Sequence, residues 1–484
     1  MSHWKSQLTN YHGSKVLLPL AQSFRIQVDK LNFLVAGLAA IGLAYVYSYV
    51  LDIKRASVRT RKVTLIVFGF GILYFCFGRD YLHVVAEAAA GYVLMRCVPI
   101  DKLPQVTLIT SLGYQSILHI SRQYSDPGGY TIDITGAIMM LTQRVTTVAF
   151  SVRDGVTTNG LTWEQARDAI TERPDALSYF AYMFDFHVLL AGPLVPYKAL
   201  SRITEGKNLR PDGSIAIKHI QVASKLVWLT VSVALILLIA PVITERNIVS
   251  NWYSSLPIYY KILYLLVYGF LCRLQYYIAW KLAEAACSAS GYGYYMNSDG
   301  EECWDGADNI NIFRVETATS LKVLIDNWNV STQRWLKHTC YERNVSHKIF
   351  RTFFLSALWH GLYPGYFLAF MTALLFVISA RQVRYYLRPI LLMNGYMPKW
   401  VYDVVTWHFT SLFLAYSMMP FVLLEYDKAI YLWRELYFFG HILAPLAFTL
   451  HLFFIRRSSR SLSGISLGVR ETLPDLSGSK LKEG

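Results

Sequence analysis

Long stretches without formal charge, or nearly so, alternate with short basic connections along this chain. A helix needs about 20 apolar residues to cross a bilayer core, and nine stretches approach that length. They lie at residues 31–51, 63–78, 103–121, 133–151, 177–195, 226–244, 258–283, 404–424 and 436–455. The pattern therefore predicts an all-α polytopic membrane protein.

Two further stretches decide how many membrane helices there are. Residues 79–102 are interrupted by charged side chains, which indicates a short or partly inserted helix. Residues 352–380 carry no Asp, Glu, Lys or Arg, but both ends of this stretch are basic. A straight crossing would place one basic end on the wrong side of the membrane. A bend at Pro364-Gly365 removes this conflict, so we expect nine to eleven membrane helices.

Composition supports a membrane protein and argues against other classes. The 484 residues are 54% hydrophobic and 16% charged, against about 25% charged in a typical soluble domain. The net charge of +14 does not indicate nucleic-acid binding, because the cations lie in short loops, as the positive-inside rule expects. The six cysteines have neither paired nor metal-ligand spacing, so we predict no disulfide framework and no metal site.

The chain divides into three predicted regions. Residues 1–30 form a polar lead-in, residues 31–455 the membrane-embedded domain, and residues 456–484 a basic, Ser-rich tail that we expect to be disordered and cytosolic. Lys480 and Lys482, fifth and third from the last residue, resemble a dilysine signal for retrieval to the endoplasmic reticulum.

One ionisable side chain, His360, lies inside the uncharged stretch 352–380. An ionisable residue at membrane depth costs free energy and indicates a functional site, although a structural histidine bonded inside the bundle is the alternative. Pro364 and Gly365 follow within about one turn, and a helix that bends there can line a cavity. Before this stretch, apolar residues at helical spacing predict an amphipathic interfacial helix at 317–342.

The motifs around His360 resemble those of a known family. Trp359-His360-Gly361 is followed by Tyr363-Pro364-Gly365-Tyr366 and preceded by Trp328-Asn329-Val-Ser-Thr-Gln-Arg-Trp-Leu-Lys337. Together they resemble the membrane-bound O-acyltransferase family and, within it, the lysophospholipid acyltransferase branch. Further agreement comes from the segments at residues 133–144, 153–155 and 190–193. The resemblance covers most of residues 30–455.

The resemblance implies an acyl-CoA-dependent lysophospholipid acyltransferase of the endoplasmic reticulum membrane. Its helices would surround a central reaction chamber, with residues 317–381 as the catalytic segment. Acyl-CoA would be a co-substrate, the free sn-2 hydroxyl of a lysophospholipid the acceptor, and membrane lipids the surroundings; no cofactor would be permanently bound. The sequence leaves ethanolamine, serine and choline head groups open, and the resemblance favours ethanolamine or serine. The alternatives are acylation of a sterol, a glyceride or a protein by the same fold, or a lipid transporter that is not an enzyme.

The resemblance also assigns catalytic roles. Neutral imidazole is a competent base near neutral pH, so His360 is the expected general base. The family's second functional residue, an Asn after Trp, falls on Asn329, with Asn327 as the fallback. Asn329-Val-Ser331 also fits a glycosylation pattern, which is the other interpretation of that residue. The predicted membrane domain, residues 31–455, contains no Gly-x-Ser-x-Gly motif, so we expect direct transfer without an acyl-enzyme.

Two wider sets of residues complete the expected site. The predicted substrate-binding residues are Trp328, Trp359, Tyr363, Tyr366, Arg144, Asp185 and His187. The predicted ligands of the coenzyme A phosphates are Arg334, Lys337, Arg343 and Lys348. Aromatic packing, structural ion pairs and ordinary basic flanks of membrane helices are the alternatives for these sets.

Overall fold

The computed structural model describes residues 11–129, 131–393, 395–447 and 449, and nearly all of their regular secondary structure is helical. The helices of the first half are α1 (Leu18–Ser23), α2 (Val28–Tyr49), α3 (Val58–Phe77), α4 (Tyr81–Cys97), α5 (Leu103–Ser125), α6 (Ile134–Asp154), α7 (Trp163–Asp168), α8 (Ala176–Met183), α9 (Tyr197–Thr204), α10 (His219–Ile239), α11 (Glu245–Ile248) and α12 (Asn251–Ser255). Those of the second half are α13 (Ile258–Ala289), α14 (Ile312–Glu316), α15 (Leu321–Asn327), α16 (Val330–Leu336), α17 (Lys348–His360), α18 (Pro364–Met393), α19 (Lys399–Leu423) and α20 (Tyr426–Glu435).

Smaller features lie between and after these helices in the described part of the chain. A 3₁₀ turn, Gly78–Asp80, joins α3 to α4, and a π-helix, Lys337–Tyr341, follows α16. One antiparallel hairpin, β1 (Tyr295–Met296) with β2 (Glu302–Cys303), follows α13. Residues 439–447 are helical as well.

Five helical stretches in the described part of the chain are long and apolar enough to cross a membrane. They are Val28–Tyr49, Val58–Cys97, His219–Ile239, Ile258–Ala289 and Pro364–Met393. Helices α5 and α6 are comparably long but bury polar side chains along their inner faces. The all-α class is therefore confirmed, whereas the number of nine to eleven membrane helices stays a prediction.

The structure corrects two predicted helices. The stretch 177–195 is helical only to Met183, because the chain then turns and the Asp185 carboxylate accepts the His187 backbone N–H at 3.1 Å. Such local side-chain bonds compete with helix formation. The predicted helix 317–342 is also interrupted, since Asn329 adopts a left-handed conformation with φ 45° between α15 and α16. Tertiary contacts cause this second break, as described below.

The bend predicted near Pro364 is confirmed. Helix α17 ends at His360, three residues lie outside any helix, and Pro364 begins α18. The last predicted span, 436–455, is helical over residues 439–447, and its final residues lie largely outside the described ones. Lys480 and Lys482 also lie outside the described residues, and the three domain boundaries stay predictions.

Among the described residues, two large apolar cores and one of two small apolar clusters hold the helices around His360. The first core includes buried residues of α2, α3, α4, α6 and the C-terminal half of α13. The second core gathers the N-terminal half of α13 with residues of α18, α19 and α20, so α13 runs through both. The small cluster consists of Leu112, Trp335, Leu336 and Trp359 and joins α5, α16 and α17. This cluster brings the segment after Asn329 onto the residue before His360.

Candidate active site

His360 is the last residue of α17, and Gly361 explains why the helix ends there. Gly361 has φ 132°, a conformation that residues with a Cβ rarely adopt. A Cβ at this position would also lie 3.1 Å from the Tyr366 ring and 3.4 Å from the His119 ring. The Trp-His-Gly motif thus places a histidine at a helix end that only glycine can form.

The segment after Gly361 is held from two sides. Gly365 donates its N–H to the Leu424 carbonyl at 2.7 Å, and a Cβ at Gly365 would lie 2.1 Å from the Pro420 carbonyl oxygen. The Tyr363 hydroxyl accepts the Gly128 N–H at 3.0 Å. The Tyr-Pro-Gly-Tyr motif therefore starts α18 close against α19 and fixes the orientation of the His360 helix end.

Aromatic rings surround the His360 imidazole. Its centroid lies 5.2 Å from that of Phe370, 4.8 Å from Phe421 and 6.0 Å from Tyr366. The residue is nevertheless partly accessible. Among the residues that the structure describes, none hydrogen-bonds to either ring nitrogen. Both nitrogens are thus available to a substrate, as a general base requires.

Helix α5 contributes two site residues that the sequence analysis missed. The Gln115 amide donates to the Trp359 carbonyl and lies 3.2 Å from His119 Nε2. His119 in turn is close enough to His360 for an electrostatic interaction. The missed signal is a polar stripe at a spacing of four on the buried face of α5, formed by Thr107, Ser111, Gln115 and His119. An amphipathic spacing inside a predicted membrane helix marks an inward polar face.

Asn329 occupies the short break between α15 and α16. Its side-chain Oδ1 accepts a hydrogen bond from Asn309 Nδ2 at 3.1 Å. The next two residues are held by the same partner, because the Val330 N–H donates to the Asn309 carbonyl at 2.8 Å and the Ser331 N–H to Asn309 Oδ1 at 2.9 Å. The fallback residue differs, since the Asn327 amide donates to the Val323 carbonyl of its own helix at 2.8 Å. The Asn327 amide is thus bonded within its own helix, whereas the Asn329 amide lies at the break between two helices, which makes Asn329 the stronger candidate for the second functional residue.

Helix α6 is the common platform for the two halves of the site. The Trp335 indole on α16 donates to Thr146 at 2.9 Å, and the Trp359 indole on α17 donates to the Met139 carbonyl at 3.0 Å. The two indole rings pack 5.7 Å apart. Asn329 and His360, 31 positions apart in sequence, are thus carried by helices that meet on one surface.

Trp328 packs against helix α13. Its ring packs 5.0 Å from Trp280 and 5.7 Å from Tyr276, both on α13. Tyr276 is also close enough to Tyr366 for their hydroxyls to interact electrostatically. Trp328 therefore packs on the same part of α13 as Tyr276.

Comparison with known proteins supports the interpretation of this geometry. The sequence profile of the membrane-bound O-acyltransferase family matches residues 121–419, which include both Asn329 and His360. The chain belongs to the membrane-bound O-acyltransferase family. It is a multi-pass membrane enzyme of the O-acyltransferase class.

Relatives in several organisms extend the similarity over nearly the whole chain. Membrane-bound glycerophospholipid O-acyltransferase 1 of Homo sapiens is 34% identical over 459 residues, which cover 90% of this chain and 91% of that protein. Lysophospholipid acyltransferase 6 of Drosophila melanogaster is 33% identical over an aligned region that covers 93% of this chain and 65% of that protein. The lysophospholipid acyltransferase of Saccharomyces cerevisiae is 29% identical, with 79% of this chain and 67% of that protein covered.

Three of the predicted substrate-binding residues of this O-acyltransferase lie in a separate buried cluster. Asp185 bonds His187 Nδ1 at 2.6 Å and accepts from the Tyr292 hydroxyl, while His187 Nε2 lies 2.5 Å from Ser290 Oγ. Arg144 donates to the carbonyls of residues 182 and 183. The protein itself supplies bonding partners for Asp185 and His187, as the structural alternative predicts. Their substrate role stays a prediction without support from this geometry.

The four predicted phosphate ligands differ in their availability. Both Arg343 terminal nitrogens bind the buried Asp154 carboxylate, at 2.8 and 2.6 Å, and Lys348 lies over the Tyr341 ring. Lys337 donates to Glu164 at 2.8 Å, and this bond raises the pKa of the Lys337 ammonium. Arg334 is exposed and has no ion-pair partner in the described part of the chain. It is the cation most available to an anionic ligand.

Proposed function

We propose that this enzyme is an acyl-CoA-dependent lysophospholipid acyltransferase that esterifies the free sn-2 hydroxyl of a lysophospholipid during phospholipid remodelling. The observation that carries the chemistry is the His360 imidazole, which is enclosed by aromatic rings yet bonded to no described residue. The acceptor is supported by the names of the relatives, which act on glycerophospholipids or lysophospholipids.

The proposed reaction is a direct transfer. His360 removes the proton from the acceptor hydroxyl while that oxygen attacks the thioester carbonyl. Asn329 donates a hydrogen bond to the oxyanion, an interaction typically worth about 3 kcal/mol of activation free energy. The tetrahedral intermediate then expels the coenzyme A thiolate, which takes the proton from the imidazolium. An ester replaces a thioester, and His360 returns to its neutral state.

The aromatic surroundings serve this chemistry by excluding water. A thioester beside a general base is hydrolysed if water reaches it, and a closed apolar site prevents this side reaction. The rings of Tyr366, Phe370 and Phe421 lie around His360 in this arrangement. The acyl chain and the lysophospholipid tail would approach through the apolar bundle, and the lysophospholipid would enter sideways from the bilayer.

The orientation in the cell is also part of the proposal. We place the enzyme in the endoplasmic reticulum membrane with its basic loops and its C-terminal tail in the cytosol, in keeping with the positive-inside rule and with Lys480 and Lys482. Acyl-CoA would enter from the cytosol and meet Arg334 first. We propose an ethanolamine or serine head group for the acceptor.

Microsomes that contain the enzyme, labelled oleoyl-CoA and a panel of lysophospholipids test the proposal directly. Label should enter one phospholipid class, and His360→Ala and Asn329→Ala should abolish the incorporation while membrane insertion stays normal. Label in sterol, glyceride or protein would contradict the acceptor but not the family. If no acceptor is labelled, or if His360→Ala keeps full activity, the proposed mechanism is wrong.

A further inference from the structure

Asn309 takes no part in the proposed reaction, yet its hydrogen bonds converge on Asn329. It is 1% exposed. Its backbone N–H donates to Glu284 at 2.8 Å and its carbonyl accepts the Val330 N–H at 2.8 Å. Its side chain joins Ser331 at 2.9 Å and Asn329 at 3.1 Å. A buried amide with this many partners has one orientation.

These bonds determine which end of the Asn329 amide is free. The partner atom on Ser331 is a backbone N–H, which can only donate, so the Asn309 atom facing it must be Oδ1. The Asn309 atom that faces Asn329 is then Nδ2, a donor. Its partner on Asn329 must be the acceptor Oδ1, which leaves the Asn329 Nδ2 donor without a partner among the described residues.

We propose that Asn309 is a positioning residue, which orients the Asn329 amide so that its N–H group, and not its carbonyl oxygen, faces the reacting thioester. This inference rests on the proposed role of Asn329 in acyl transfer. An oxyanion requires a donor, and an inverted amide would present a repelling oxygen instead. The orientation therefore decides whether Asn329 stabilises or destabilises the transition state.

Buried charges hold Asn309 itself in place. Glu284 Oε1 accepts the backbone N–H groups of Asn309 and Ile310, at 2.8 and 3.0 Å. Glu284 Oε2 accepts from Lys281 at 2.6 Å, and Lys281 also donates to the Ile310 carbonyl at 2.9 Å. Glu284 is fully buried. Charge-assisted bonds of this kind are short and strong, so the backbone that carries Asn309 is fixed relative to α13.

Asn309→Asp is the decisive variant. The carboxylate can still accept the Ser331 N–H, but it offers Asn329 an acceptor, so the Asn329 amide should turn over and lose its free donor. We expect kcat to fall about 100-fold or more, the range for loss of one oxyanion donor, with KM for both substrates changed by less than about threefold. Asn309→Asp combined with Asn329→Ala should be no slower than Asn329→Ala alone, because both changes remove the same interaction.

Asn311→Asp is the matched control. Asn311 lies two positions away and caps α14 by accepting the Arg314 N–H at 3.0 Å, a task that Asp performs equally well. We expect this variant to keep its kcat. A loss in Asn311→Asp as large as that in Asn309→Asp would overturn the inference, because any added charge in this loop would then suffice.

A stability measurement keeps the inference testable if Asn309→Asp does not fold. Asn329→Asp retains an acceptor for Asn309 Nδ2, so its melting temperature should be close to that of the unsubstituted enzyme, although it should be inactive. The melting temperature of Asn329→Ala should be lower. Melting of Asn329→Asp at or below the temperature of Asn329→Ala would overturn the assigned orientation. If Asn329→Ala is inactive but Asn309→Asp keeps its kcat, this inference fails and the proposed function stands. If Asn329→Ala is fully active, the role of Asn329 in the proposed function is wrong.

Discussion

Two histidines of this enzyme, the buried His187 and the partly accessible His360, lie among aromatic rings but differ in their hydrogen bonds. The His187 ring stacks 3.9 Å from Phe186, and its two nitrogens are bonded to Asp185 and Ser290. The His360 ring lies 4.8 Å from Phe421, and no described residue bonds its nitrogens. Apolar packing alone therefore does not distinguish a structural from a reactive histidine.

The difference shows what each histidine can do. A buried polar group with all its bonds made stabilises the fold, and leaving such a group unpaired costs stability. An imidazole that is enclosed by rings but has no hydrogen-bond partner contributes little stability, and such an exception calls for a catalytic or ligand-binding explanation. His187 thus fits a structural role and His360 a chemical one, and four substitutions test this contrast.

The largest effect is expected for His360→Gln. Glutamine keeps much of the volume but cannot act as a base, so acyl transfer should fall roughly 10²–10⁴-fold. The melting temperature should change little, because no hydrogen bond is lost. Initial rates and a thermal-shift measurement on the same preparation check both parts. A large loss of stability would mean that His360 resembles His187 after all.

Gly361→Ala should have the next largest effect. The Cβ would strain a backbone with φ 132° and press on the Tyr366 ring, so His360 would move. A displacement of about 1 Å in a catalytic group can cost about 100-fold in rate. Gly136→Ala on α6 is the matched control, since nothing lies within 4 Å of the added Cβ there, and it should stay active. Equal rates in the two variants would contradict this account of the motif.

Asp185→Ala should produce the opposite result. It leaves His187 and the Tyr292 hydroxyl without their partner, at a cost of about 1–3 kcal/mol in the free energy of unfolding. Activity per folded molecule should stay near that of the unsubstituted enzyme. Thermal denaturation and rates normalised to folded protein separate the two quantities. A stable but inactive variant would restore the substrate role predicted for Asp185.

The smallest effect is expected for His119→Gln. This histidine is intermediate between the two, because it lies near Gln115 and also beside His360. One hydrogen bond contributes about 0.5–1.5 kcal/mol. Even if this whole amount were added to the activation free energy, the rate would fall by no more than about tenfold. Rates measured across pH would show whether the profile moves. A loss as large as that of His360→Gln would mean that the two histidines share the chemistry.

The prediction from sequence was strongest where local rules decide the structure. Apolar runs identified most of the long helices, and Pro364 and Gly365 identified the break beside His360, because glycine and proline act on their own backbone. It failed at residues 184–196, where turns interrupt an apolar stretch. It failed again at Asn329, where contacts from Asn309 break a helix that the apolar spacing favours.

The family, the all-α class and the two residues proposed for the chemistry follow from motifs and from runs of similar residues, which can be recognised without a structure. How those residues are used depends on the tertiary structure. Gln115 reaches Trp359 across 244 positions, and Asn309 reaches Asn329 across 20. The tertiary structure also determines that Arg343 is bound to Asp154 while Arg334 is exposed. Periodicity reports which face of a helix is buried, but not which polar atoms meet there, because that depends on how the helices pack.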